Sequence, residues 1–205
     1  SVCNGPSIYH RWRNLHHCTQ TKDVVMCRGI LLLIVALLPT SSVRATVFAE
    51  SSRIEGVSYP KMGEHRATYK MFFKLYDAAL FTVAGATAEE VLTRNCSFRL
   101  EFRYLRSISK ATILQSANHM LAKNLSAEDL SRITAATEQL HATYRSVQTG
   151  DVSSLTYIAG RGTTFAINGE QLITISSKEF AQHYLQIWLG ERPVSRRLRD
   201  RLLGK

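Results

Sequence analysis

The chain has 205 residues, 45% of them hydrophobic and 20% charged, with a formal net charge of +10. That length suits one domain with a sizeable core, and that composition excludes low-complexity disorder over most of it. The charge raises nucleic-acid binding as a question, which the placement of the basic residues has to answer.

The longest apolar run, Ile30 to Leu38, has nine residues, well short of the roughly 20 that cross a bilayer as a helix. Met26 and Arg28 precede it, Pro39 ends it, and Val43-Arg44-Ala45 sets short or small residues where a signal peptidase reads. This order predicts a signal peptide over 26–45, cleaved after Ala45, and a periplasmic or secreted product. A buried helix is the other reading of the run. With Met26 as the expected start, residues 1–25 form an upstream extension outside the mature protein, and 46–205 form the domain. His10, His16, His17, Cys3 and Cys18 of the extension lack the spacing of a zinc site. Cys96 is then the single cysteine of the mature chain and reads as a small buried hydrophobe.

From Ile54 the order is strands, helices, strands, helices, which argues for α+β. Ile54 to Pro60 predicts a short strand ended by Pro60, and Arg66 to Val83 a neighbouring one. In the latter Phe72, Lys74, Tyr76, Ala78 and Leu80 share one face, and Phe73, Leu75, Asp77, Ala79 and Phe81 the other. Such a strand can line a cleft on one side and a core on the other. Thr87 caps a short helix to Thr93. Cys96 to Leu105 alternates, with Phe98, Leu100, Phe102 and Tyr104 opposite Arg99, Glu101 and Arg103. Glu101 among those arginines makes a solvated face, which argues against nucleic acid.

Ser109 opens a helix to about Asn124, and Ser126 with Asp129 resembles a capping box for a helix to about Val147. His119 and His141 sit singly on these helices, so no metal site is expected. Leu155 to Ile158, Thr163 to Ile167 and Gln171 to Ile175 read as strands, the last two joined at Asn168-Gly169. Gly160-Arg161-Gly162 is not a phosphate loop, because a strand follows it rather than a helix. Ser177 caps a helix to Leu189, and Ser195 caps a last helix stopped by Gly204. There Arg196, Arg197, Arg199 and Arg201 surround Leu198, Leu202 and Leu203. These arginines either touch an anionic membrane or keep the exposed side wet.

The order Gly56-Val57-Ser58-Tyr59-Pro60, Met71 to Phe81, Arg106-Ser107-Ile108-Ser109, then Trp188 to Gly204 resembles the chalcone isomerase-like domain of bacterial exported proteins, over nearly all of 46–205. The resemblance implies an antiparallel β-sheet with a layer of helices on one face, an open-faced β-sandwich with a ligand cleft between the layers. The enzymes of the family add a phenolate across an enone, with an arginine and a polar network stabilising the charge on the ketone oxygen. The resemblance places that arginine at Arg66. The link to Phe72-Phe73 is two residues shorter than in the plant enzymes, an even change that keeps Arg66 facing the cleft. A threonine of the next strand falls at Tyr76. The catalytic tyrosine and asparagine fall at Leu130 and Thr137, and a specificity-setting threonine at Ile187.

An arginine with a tyrosine resembles instead the non-catalytic, fatty-acid-binding branch. A guanidinium fork and a phenol hold one carboxylate, and apolar walls take the tail. The leading expectation is therefore a protein that binds a fatty acid or similar small apolar carboxylate through Arg66 and Tyr76, without cofactor or metal. Lys74, on the face of Tyr76, adds a second charge or snorkels to solvent, and Leu130, Thr137 and Ile187 line the cleft. The plainer alternative pairs Arg66 with Glu64 or Asp77 and makes Tyr76 a core residue. Two further functions stay open: an isomerase (intramolecular lyase) acting on an enone, and an envelope interaction protein without a small ligand.

Overall fold

The computed structural model describes residues 47–70, 72–93 and 96–205. The segments assigned to an extension and a signal peptide lie outside the described residues. Among the described residues seven strands form one sheet in chain order, each antiparallel to the next. They are β1 (Ser51–Ile54), β2 (Val57–Tyr69), β3 (Phe73–Thr82), β4 (Phe98–Tyr104), β5 (Val152–Ile158), β6 (Gly162–Ile167) and β7 (Glu170–Ile175). The described residues also form six helices: α1 (Ala88–Thr93), between β3 and β4, α2 (Lys110–Asn124) and α3 (Ala127–Thr143), between β4 and β5, and α4 (Lys178–Tyr184), α5 (Gln186–Leu189) and α6 (Arg196–Leu202), after β7. This is the α+β antiparallel architecture expected from the sequence.

Alternation along the strands divides the sheet into two faces. On the inner face the register aligns Leu80, Leu100, Leu155, Phe165 and Ile173 across five strands, and Ala78, Phe102, Ser153 and Ile167 across four. Apolar residues of α2 to α6 pack against these rows, with Ile133, Leu140, Phe180, Leu189, Leu198 and Leu202 essentially removed from solvent. The outer face carries Arg66, Asp77 and Arg103 in line. Part of it is covered by a second, small core of Phe48, Ile54, Tyr59, Ala79 and Phe81. Lys61 pins that corner: its Nζ donates to the Phe48 carbonyl at 3.2 Å and to Glu50 and Glu64 at 3.1 Å each. Burial alone would depress this amine, but the two carboxylates outweigh it and hold its pKa above the ordinary lysine value.

Serine punctuation works as read. Ser109, Ser126, Ser177 and Ser195 each accept a hydrogen bond from the backbone N–H three residues on, a contribution of about 1 kcal/mol per helix. Several boundaries differ from the sequence reading: α3 stops at Thr143 rather than near Val147, and a turn at Glu55-Gly56 divides the strand expected from Ile54 to Pro60. The run from Arg66 to Val83 is not one strand, because a turn at Lys70, with φ of 46°, ends β2 and begins β3. Pro60 does not end its strand; β2 leaves β1 there and pairs with β3 from Lys61 on, so the missing N–H falls where the ladder changes partner. The helix from Ser177 to Leu189 breaks at Leu185 into α4 and α5.

The last helix lies on β2 at close range. A Cβ at Gly63 would stand 2.0 Å from the Arg201 carbonyl oxygen and 2.7 Å from that of Leu202, and these backbone atoms cannot swing aside. Gly63→Ala should therefore cost about 1–3 kcal/mol, read as a lower denaturant midpoint with unchanged m-value; an unshifted midpoint contradicts this packing. Thr137 makes the opposite prediction. It is buried in α3 with Ile133 and Leu140, and its hydroxyl has no hydrogen-bond partner among the described residues. Thr137→Val keeps the shape and removes a desolvated, unpaired hydroxyl, so thermal unfolding should move up, by roughly 1–3 kcal/mol.

Candidate functional site

Between the inner face and the helices lies a cavity of about 360 Å³. Its floor is Tyr76 and, directly opposite in the register, Tyr104, with Phe102 beside them. Tyr184, Ile187 and Trp188 of the α4–α5 segment wall one side. Thr112, Ile113, Ser116 and Ala117 of α2 wall the other. The loop Arg106 to Ser109 forms the rim. It is fixed by Ile108 and Val147, each donating its N–H to the other's carbonyl at 3.0 Å, and by the Ser109 cap of α2. A larger depression of about 830 Å³ runs beside Lys123, Gln186 and Arg192. It is bounded mainly by polar side chains at the surface, so the smaller, aromatic-walled cavity is the better ligand site.

Four phenols line this space. Burial raises the Tyr76 phenol, and the Trp188 indole beside it offsets only part of that rise. Tyr104 shares a hydrogen bond with Ser153 at 3.1 Å, and Tyr184 bonds His141 Nε2 at 3.2 Å and also Tyr144. Burial pushes all four phenols above the usual tyrosine value, so each remains a neutral donor at any physiological pH. Burial first, and Lys110 second, push His141 below the ordinary histidine value, so it is neutral at pH 7. Among the described residues that line the cavity, Arg106 alone carries a formal charge. Its guanidinium is exposed at the rim, 5.5 Å from the centre of the Phe73 ring.

Of the residues picked out by sequence, Tyr76 and Ile187 line the cavity. Arg66 does not. It pairs across the strands with Asp77, while Ala67 pairs with Tyr76, so Arg66 and Tyr76 point to opposite sides of the sheet. Its guanidinium is taken by Asp77 through two parallel bonds, Nε to Oδ1 at 2.6 Å and Nη2 to Oδ2 at 3.0 Å. The expected clamp of Arg66 and Tyr76 on one carboxylate is therefore not formed, and the plainer pairing with Asp77 is. Lys74 is exposed and lies outside the cavity lining, near the hairpin tip. Leu130 packs half-buried in the helix core, and Thr137 is buried in the same layer; neither reaches the cavity.

The sequence reading passed over Tyr104, Arg106, Tyr184 and Trp188. Tyr104 was visible as the last inward position of an alternating strand. Tyr184 and Trp188, four apart and four beyond Phe180, formed an aromatic stripe at helical spacing that reads as core. Among the described residues no three His, Cys, Asp or Glu side chains converge on a metal position. The arrangement can take an apolar body among aromatic walls and offer its polar end neutral phenol donors inside and one guanidinium at the rim.

No curated protein sequence matches this chain. The fold aligns with the crystal structure of a fatty-acid binding protein of Arabidopsis thaliana at a TM-score of 0.56 and 13% identity. The alignment covers 76% of this chain and 96% of that one; at such identity it speaks for the fold. Residues 63–204 match the family described as chalcone isomerase-like. That match takes in every strand from β3 on and every helix, and the protein belongs to the chalcone isomerase-like family.

Proposed function

We propose that this protein binds a small apolar carboxylate, such as a fatty acid, in the cavity between sheet and helices. The tail lies among Phe102, Ile113, Ile187 and Trp188, and the carboxylate turns toward Arg106. The observation that carries the reading is an aromatic-walled cavity whose lining holds a single formal charge, positive and at the rim. Apolar walls supply non-directional affinity, and one guanidinium supplies orientation. The fold likeness to a plant fatty-acid binding protein supports the same class of ligand.

The test is titration with a fluorescent fatty acid, with native mass spectrometry reading the stoichiometry. Ser116 is exposed yet lines the cavity, so Ser116→Trp should obstruct the opening without disturbing the core and reduce binding at least about tenfold. Arg106→Leu should weaken the acid by about tenfold, in line with loss of one charge-assisted contact, and leave the matching alcohol unchanged. Binding that ignores both substitutions, or no binding at all, rejects the proposal.

Arg66→Ala separates the two faces of the sheet. It strips a partner from Asp77, which is 4% exposed, and should lower stability by about 1–3 kcal/mol. Because the arginine itself is 40% exposed, water limits the loss. Fatty-acid affinity should not change; a fall in affinity at full stability would return Arg66 to the site.

A further inference from the structure

The turn between β2 and β3 carries exposed apolar surface that no packing among the described residues accounts for. Phe72 is 83% exposed, Tyr69 56% and Phe73 49%. Cations interleave with these rings: Lys70 Nζ stands 5.5 Å from the centre of Tyr69, and Arg106 Cζ the same distance from Phe73. Lys74 adds a third positive charge. No acidic residue lies between Arg66 and Lys74 in the sequence. The flanking acids, Glu64 and Asp77, are already paired with Lys61 and Arg66.

This tip also stands at the mouth of the cavity. Leu75 and Tyr76 follow it directly and line the cavity, and Arg106 contacts the tip through Phe73 and the cavity through its rim. Val194, part of the same lining, is 41% exposed. We propose that Tyr69, Lys70, Phe72, Phe73 and Lys74 of the hairpin tip, with Arg106, form a docking surface for an anionic lipid bilayer and seat the cavity mouth against it. Aromatic rings enter the headgroup layer while lysine and arginine reach lipid phosphates, and neither signal holds a protein well alone. The arginines of α6 offer only the second signal, because Leu198 and Leu202 of that helix are fully buried. A second protein chain is a poorer occupant. Among its described residues the tip presents three exposed rings, Tyr69, Phe72 and Phe73, whereas a stable interface takes about 20–30 residues a side. The docking stands on the tip alone; what passes between bilayer and cavity rests on the proposed ligand.

Phe72→Trp places a reporter at the most exposed ring. Its emission, after subtraction of the parent protein, should shift to shorter wavelength with vesicles containing phosphatidylglycerol and stay put with phosphatidylcholine alone. Adding Lys70→Glu and Lys74→Glu should weaken that response at least about tenfold, whereas Arg196→Glu with Arg197→Glu on α6 should not. No shift with anionic vesicles, or a shift indifferent to the tip charges, overturns the docking surface. So does a lipid-free dimer, seen by sedimentation, that Phe72→Ser abolishes, since the tip would then belong to a second copy. Fatty-acid titration in the absence of vesicles runs alongside; binding retained there while docking fails leaves the cavity reading intact.

Discussion

At the tip of the β2–β3 hairpin Tyr69 lies opposite Phe73 and Thr68 opposite Lys74. Continued without interruption, that register would set Arg66 opposite Tyr76, on one face of the sheet. It is interrupted: β3 holds one extra residue at Leu75, and beyond it Ala67 meets Tyr76 while Arg66 meets Asp77. A single bulged residue reverses side-chain parity from there until a second irregularity, between Lys61 and Gly63, restores it. The guanidinium goes to the outer face, where a buried carboxylate binds it in a bidentate fork, and the phenol goes to the inner face with the helices. From Asp77 to Thr82 every residue of β3 is buried, so neither face can exchange its set for the other without exposing apolar groups or burying a charge.

The inner face stays open at one end because its aromatic residues brace one another. Tyr76 meets Phe102 edge-on at 5.3 Å and Tyr104 at 6.2 Å, and Trp188 lies 4.9 Å from Phe102 and 6.0 Å from Tyr184. Each buried phenol also needs a hydrogen-bond partner. Tyr104 finds Ser153 and Tyr184 finds His141, and these bonds fix where the rings lie. Collapse into the empty space would break them and leave polar atoms desolvated. The polar network thus has a structural consequence apart from any ligand: it keeps the cavity walls in place.

Much of the architecture was legible in the residues, because the devices involved are local. Four serines each precede a helix and cap it through their own side chains, Asn168-Gly169 makes its hairpin, and the alternation from Phe98 to Tyr104 survives as β4. The β2–β3 turn was missed because it uses Lys70 in a left-handed conformation with no glycine or proline to mark it. The site was legible in part for a related reason. Tyr76 and Ile187 were placed by the family resemblance, and their positions on a strand and a helix hold in the structure. Arg66 needed the register, and register depends on an unmarked turn and a bulge that composition does not signal. The even-length argument for its orientation counted residues along one strand, whereas the bulge lies on the other.

If the cavity takes the proposed ligand, the position of Arg106 suits both its empty and its filled state. A guanidinium deep between sheet and helices would be costly without a counter-ion, and the unliganded protein would have to supply one, as Asp77 does for Arg66 on the outer face. At the rim the charge keeps its water when no ligand is present, and Phe73 takes part of its side of the solvent shell. On the proposed function, an amphiphile meeting it there would keep its charged end near water or lipid headgroups and give up only its tail to the interior. The three elements at the mouth, the exposed rings, the cations and the aromatic wall behind them, therefore follow the polarity of such a molecule from head to tail.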